Sequence, residues 1–193
     1  MEELYGLVLA GGFSKRMGRD KGSLMFQGKS LAQRAIDTLR AAGISPVWLS
    51  LRPGQALPCP HPKVLRDAYP SCGPMGAIAT FFEHFPDKAC LVLACDMPLI
   101  GIEEVELLVK KRQDPAAVVC FQSPEASRLE PLCAVWESVT YAPITQYIQL
   151  QQLSLQRFLQ AQPIISLQAP HPERLANLND PETLARLKNQ EQG

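Results

Sequence analysis

Strand and helix signals alternate along residues 4–111 of this 193-residue chain. That alternation predicts an α/β fold whose sheet is mostly parallel and covered by helices. Two further observations agree. The runs Leu4–Ala10 and Ala89–Ala94 are continuously apolar, as strands buried on both faces are. The segment leaving the first run is rich in glycine and cations, the composition expected at the carboxyl edge where open α/β sheets bind ligands. The length corresponds to one domain spanning 1–193.

The elements follow in order. Leu4–Ala10 is the first strand. Ser30 and Gln33 form a possible capping box for a helix carrying Leu31, Ala35 and Leu39, which Gly43 stops. Pro46–Leu51 reads as a second strand and Val64–Leu65 as a short third. The proline-dense stretch from Pro53 to Pro62 is a surface loop. Gly73-Pro74 opens a helix with Met75, Ile78, Ala79 and Phe82 on one face. After the strand Ala89–Ala94, which Pro98 keeps from continuing, a helix covers Ile102–Lys111. Ala116–Phe121 and Pro131–Trp136 are further strands, and Val139–Leu159 is helical with a break near Leu153-Ser154. Ile164–Leu167 is a late strand, and Asp180-Pro181-Glu182 begins a short last helix.

Nineteen basic and nineteen acidic side chains cancel, which argues against a general nucleic-acid or membrane-surface binder. No apolar run is long enough to span a bilayer, and no signal peptide is visible. The expectation is a soluble, cytoplasmic protein. Of the six cysteines, Cys90, Cys95, Cys120 and Cys133 lie in or beside core-strand runs, and there is no Cys-x-x-Cys. They read as buried reduced thiols. His61, His84 and His171 show neither metal-ligand nor triad spacing.

The most informative segment is Leu9-Ala-Gly-Gly-Phe-Ser-Lys-Arg-Met-Gly-Arg-Asp-Lys21. Glycines let backbone N–H groups approach an anion. Lys15, Arg16, Arg19 and Lys21 set four cations against one carboxylate, Asp20, so a neutral chain is locally basic, as a polyphosphate site requires. Gly-x-Gly-x-x-Gly is absent. Gly22 to Ser30 resembles a Walker A loop but has one intervening residue too many and does not follow a buried strand. A turn ahead of the Ser30 helix explains it. Asp96 ends the fourth strand and Asp67 follows the third. If those strands are parallel to the first, both acids share its edge, where one or two carboxylates with phosphate oxygens can hold Mg²⁺. Asp67 reads equally well as a turn residue.

These residues resemble the molybdenum cofactor guanylyltransferase family. The resemblance extends from Leu9–Lys21 through Asp67, Cys72-Gly-Pro-Met-Gly76, Cys95-Asp-Met-Pro98, Glu130-Pro-Leu132 and Asn177-Leu-Asn-Asp-Pro-Glu182. It implies a Rossmann-like three-layer fold of the nucleotide-diphospho-sugar transferase type. The implied reaction is Mg²⁺-dependent transfer of GMP from GTP to molybdopterin cofactor, with release of pyrophosphate. The implied partners extend to other molybdenum-cofactor proteins or client molybdoenzymes. The implied nucleotide-binding residues are Leu9, Ala10, Gly11, Gly12, Arg16, Lys21, Asp67 and Asp96. By the same resemblance, Lys21 would clamp phosphate and Asp96 would bind the metal, both as catalytic residues. The pterin would lie toward Gly73–Gly76 and Arg128–Leu132. One departure stands out: the family commonly has asparagine after its second strand, where this chain reads Leu49-Ser-Leu-Arg52. Two alternatives remain. A cytidylyltransferase or sugar-nucleotide pyrophosphorylase typically reads Leu-Ala-Ala-Gly at the first motif. A non-catalytic carrier of nucleotide or molybdopterin would not need the metal carboxylate.

Overall fold

The structure, a computed structural model, describes residues 2–11, 13–14, 19–60, 63–112, 116–123 and 128–178. Gly12, Lys15, Arg16, His61 and the helix expected at Asp180-Pro181-Glu182 lie outside the described residues.

A seven-stranded sheet forms the centre. Its strands are β1 (Leu4–Leu9), β2 (Val47–Leu51), β3 (Val64–Arg66), β4 (Ala89–Ala94), β5 (Val118–Gln122), β6 (Leu129–Trp136) and β7 (Ile164–Leu167). They lie in the order β7-β5-β6-β4-β1-β2-β3. β1 is parallel to both β2 and β4, and β3 is parallel to β2. β6 is antiparallel to β4 and β5, and β7 is parallel to β5. The sheet is therefore mostly parallel with one reversed strand. All six residues of β4 are buried, which is why its sequence shows no polar alternation.

Alternate side chains feed two cores. Val8, Leu91 and Leu93 face one side, packing with Ile36 and Leu39 of α1 (Leu31–Ala41) and Val105 and Leu108 of α3 (Ile102–Lys110). Leu7 and Val92 face the other. There they meet Ile78 and Phe82 of α2 (Gly73–His84), Ile144 of α4 (Tyr141–Gln149) and Phe158 of α5 (Leu155–Gln160). Helices thus cover both faces in three layers. Among the described residues, no helix is long and apolar enough to cross a membrane.

Most elements match expectation, and the differences have local causes. Ser30 caps α1 by accepting from Gln33 N at 3.2 Å, but the Gln33 side chain bonds Asp37 at 2.8 Å. Only half of the capping box forms, because an acceptor one turn ahead competes for the amide. Met25–Phe26 and Lys29–Ser30 make a hairpin with Gln27 and Gly28 at positive φ. Lys29 pairs with Asp37 at the surface, so this segment is a turn and no phosphate loop. β4 ends at Ala94 as expected, at a turn with Met97 N–H on Ala94 O at 3.2 Å that precedes Pro98. β6 starts at Leu129, ahead of the expected Pro131, because a register irregularity between Glu130 and Ala134 accommodates the missing proline N–H. The helical stretch after Val139 breaks at residues 150–154, and Ser154 caps α5. All six cysteines are free and buried.

Candidate active site

β1, β3 and β4 run in one direction, so their carboxyl ends share an edge. Three groups of residues meet there.

The first is an ion pair. Asp96 sits in the turn after β4, and Lys21 begins the one-turn 3₁₀ helix Lys21–Ser23 beyond the basic segment. Lys21 Nζ lies 2.6 Å from Asp96 Oδ2, with both side chains less than one-fifth exposed. Backbone bonds fix Asp96 on both sides. Cys95 N–H donates to Leu9 O at 3.1 Å, and Leu178 N–H donates to Asp96 O at 2.7 Å. The second bond brings the Asn177-Leu178 segment to the site from the far end of the chain. Asp96 offers one hard oxygen donor group. That set suits a cation such as Mg²⁺, which takes its other ligands from substrate phosphates and water.

The second group is a pocket of about 140 Å³ whose lining includes Leu9, Gly11, Ser50, Arg52, Asp67 and Pro74. Asp67 is buried here. Burial pushes its carboxyl up from the ordinary range, against the lowering effect of a 2.8 Å bond from Tyr69 N–H and the nearby Thr80 hydroxyl. Asp67 shapes the turn into α2 and lines the pocket. Gly76 completes that turn: a Cβ there would fall on the Tyr69 carbonyl oxygen and lie 2.9 Å from Tyr69 Cβ.

The third group is a cavity of about 700 Å³ whose lining includes Arg128, Glu130, Leu132, Gln156, Glu173 and Asn177. Burial pushes the Glu130 carboxyl up to about 7, opposed by the Leu132 N–H, and the negative charge of Asp96 adds to the rise. Asn177 in its lining adjoins Leu178, whose N–H bonds Asp96 O, which places this cavity beside the ion pair. The two segments expected to share one pterin surface separate here. Gly73 and Pro74 line the small pocket, whereas Arg128–Leu132 line the large cavity.

Of the sequence-predicted residues, Leu9, Gly11 and Asp67 meet in the small pocket, and Lys21 and Asp96 meet in the pair. Ala10 is buried, with its N–H on Ser50 O at 3.1 Å. Gly12 and Arg16 lie outside the described residues. Sequence reasoning placed Glu130 in the stretch toward the pterin without a role of its own, and it missed Arg52 and Gln55 as parts of this edge. Pro53-Gly54 signals a turn that could have drawn attention to the latter two, but nothing local marks their side-chain partners. Gln55, the amide near the position of the expected asparagine, is engaged with Ala10 O at 2.9 Å and Arg52 N–H at 3.1 Å. Elsewhere, Glu103 and Glu104 lie beside His171, but Arg174 sits 3.3 Å and 3.2 Å from the two carboxylates, which makes that group an ion-pair network.

The sheet order and this carboxyl edge define a doubly covered α/β protein with a ligand-binding edge. Residues 6–167 match the MobA-like NTP transferase domain, and the chain belongs to that family of nucleotidyltransferases. It is 32% identical over 189 residues to the probable molybdenum cofactor guanylyltransferase of Opitutus terrae, covering 93% of this chain and 92% of that protein. It is 31% identical over 189 residues to the molybdenum cofactor biosynthesis bifunctional protein of Synechocystis sp., covering 95% of this chain. The chain spans only about half of that relative, 53% of its length. Its fold is shared with the molybdopterin-guanine dinucleotide biosynthesis protein A of Archaeoglobus fulgidus, at a TM-score of 0.80 and 20% identity, with 97% and 98% of the two chains covered.

Proposed function

We propose that this protein transfers GMP from GTP to molybdopterin cofactor and releases pyrophosphate. The observation that carries the reading is the Lys21–Asp96 pair standing between a small pocket at the β1 exit and a large cavity under β6. Such an edge can take a nucleotide on one side and a bulky acceptor on the other. The names of the relatives support guanine as the base and molybdopterin as the acceptor.

In this reading Leu9, Ala10, Gly11 and Asp67, together with Gly12 and Arg16, contact the nucleotide. Lys21 carries phosphate charge, and Asp96 holds Mg²⁺. The acceptor occupies the cavity lined by Arg128–Leu132, with Gly73 and Pro74 on the nucleotide side. The acceptor's phosphate is largely dianionic at neutral pH, so its oxygen can attack the α-phosphorus without a general base. That O–P bond forms as the bond to the pyrophosphate oxygen breaks. Mg²⁺, when bound, neutralises phosphate charge. Lys21 rests on Asp96 at 2.6 Å, so its ammonium is already held where charge shifts and needs little reorganisation to reach phosphate.

The test is pyrophosphate release from a nucleotide panel with Mg²⁺ and molybdopterin cofactor. GTP is expected to exceed ATP and CTP by at least about 10²-fold in kcat/KM, within the range of hydrogen-bond readout of a base edge. Equal rates with CTP would assign the protein to cytidylyl transfer. Nucleotide binding without turnover would make it a carrier.

A further inference from the structure

We propose that the turn Arg52-Pro53-Gly54-Gln55 is a brace that sets the phosphate-binding geometry of the β1 exit, with Arg52 and Gln55 as positioning residues. This rests on the reading of that edge as a nucleotide triphosphate site, though not on guanine as the base.

The turn is itself rigid. Gln55 N–H bonds Arg52 O at 3.1 Å, Pro53 holds the second position, and Gly54 has φ +73° at the third, the pattern of a type II turn. Arg66 of β3 clamps it from outside, with Nη1 at 3.0 Å from Arg52 O and 2.6 Å from Gln55 O.

From this platform, two side chains reach both flanks of the basic glycine segment. Gln55 is only 7% exposed, unusual for glutamine. Its Nε2 donates to the Ala10 carbonyl at 2.9 Å and its Oε1 accepts from Arg52 N–H at 3.1 Å. A buried carbonyl such as that of Ala10 is costly to leave unpaired. The Arg52 stem lies against Gly11, where a Cβ would come within 3.3 Å of Arg52 Cγ. Its guanidinium ends on the Asp20 carboxylate in a close ion pair. The next residue, Lys21, is the one that meets Asp96. One turn therefore holds Ala10–Gly11 at one flank and Asp20–Lys21 at the other, fixing the distance between backbone and ammonium that a triphosphate must bridge.

Asp20 separates this idea from simple charge effects. Asp20→Asn removes a negative charge near the anion site, so electrostatics alone predicts tighter binding of a polyphosphate. A brace predicts weaker binding, because the Arg52 anchor is lost. The experiment measures binding of Mg-GTP and of Mg-tripolyphosphate by calorimetry to the full-length protein and to Asp20→Asn, Arg52→Gln and their double variant. Thermal unfolding of each variant runs in parallel.

Each single change is expected to weaken both ligands by about tenfold, a loss of about 1.4 kcal/mol. The double variant should be no worse than the weaker single. Gln55→Leu should behave likewise; if it is too unstable to purify, the two surface-reaching variants still decide. Asp20→Asn binding tripolyphosphate as well as or better than the unaltered protein would overturn the brace, as would losses that add in the double variant. If the unaltered protein binds tripolyphosphate but not GTP, the guanylyl reading falls while the brace stands. If it binds neither ligand, both fall.

Discussion

Replacing Glu130 with glutamine tests the electrostatics of the large cavity directly. Burial, helped by Asp96, raises this carboxyl from 4.5 to about 7 in the folded protein. Between those two values the folded protein keeps a proton that the unfolded chain gives up. The native state then binds more protons, so unfolding free energy falls as pH rises, by at most about 1.4 kcal/mol per pH unit. The contribution is fully present below about pH 4.5 and is lost as pH passes 7. Across that window the loss amounts to about 3 kcal/mol, or about 2 kcal/mol once residual solvent access to this half-buried side chain is allowed for. Glu130→Gln keeps the shape and removes the ionisation. Urea unfolding at pH 5 and pH 8, in chelator so that no metal binds Asp96, gives the comparison. The variant should exceed the unaltered protein by about 0.5 kcal/mol at pH 5 and by about 2 kcal/mol at pH 8. Other titrating groups are common to both proteins and cancel. A stability difference that is the same at both pH values would refute the argument, since Glu130 would then be as free to ionise in the folded protein as in the unfolded chain.

Three further outcomes are expected. Lys21→Ala should lower turnover by about two decades or more, the magnitude of a lost preorganised charge at a transition state. It should also cost about 1 kcal/mol of stability, because Asp96 loses its partner in a largely shielded pair; near-normal pyrophosphate release would remove Lys21 from the chemistry. Gly76→Ala should destabilise by about 1–3 kcal/mol, because the added methyl collides with the Tyr69 backbone, which cannot rotate away. Nucleotide binding should weaken with it, since the same turn carries Asp67; a change under about 0.5 kcal/mol in urea unfolding would contradict this packing. The cysteines should react slowly with a thiol reagent in the native protein and titrate as six after denaturation. Burial pushes the Cys90, Cys95 and Cys133 thiols up strongly and that of Cys120 up to about 12, so rapid native labelling of several would contradict the core described here.

The sequence alone determined the elements whose signals are local. Leu4–Leu9 and Ala89–Ala94 read as strands because burial on both faces leaves an unbroken apolar run. Ser30 and Gly43 marked the ends of α1 because cap geometry demands particular residues. The strand-end positions of Asp67 and Asp96 followed from the same reasoning, since parallel strands bring their carboxyl ends to one edge. What only the tertiary structure decided are pairings between residues distant in sequence. Lys21 meets Asp96 across 75 positions, Gln55 reaches Ala10 across 45, and Arg52 reaches Asp20 across 32. No periodicity encodes those partners, because they depend on the order β4-β1-β2 in the sheet and on where a loop turns back. The same holds for Glu130, whose residue type says nothing of its ionisation. Its displaced titration arises from the cavity around it and the charge of Asp96, and both exist only once β6 lies antiparallel beside β4.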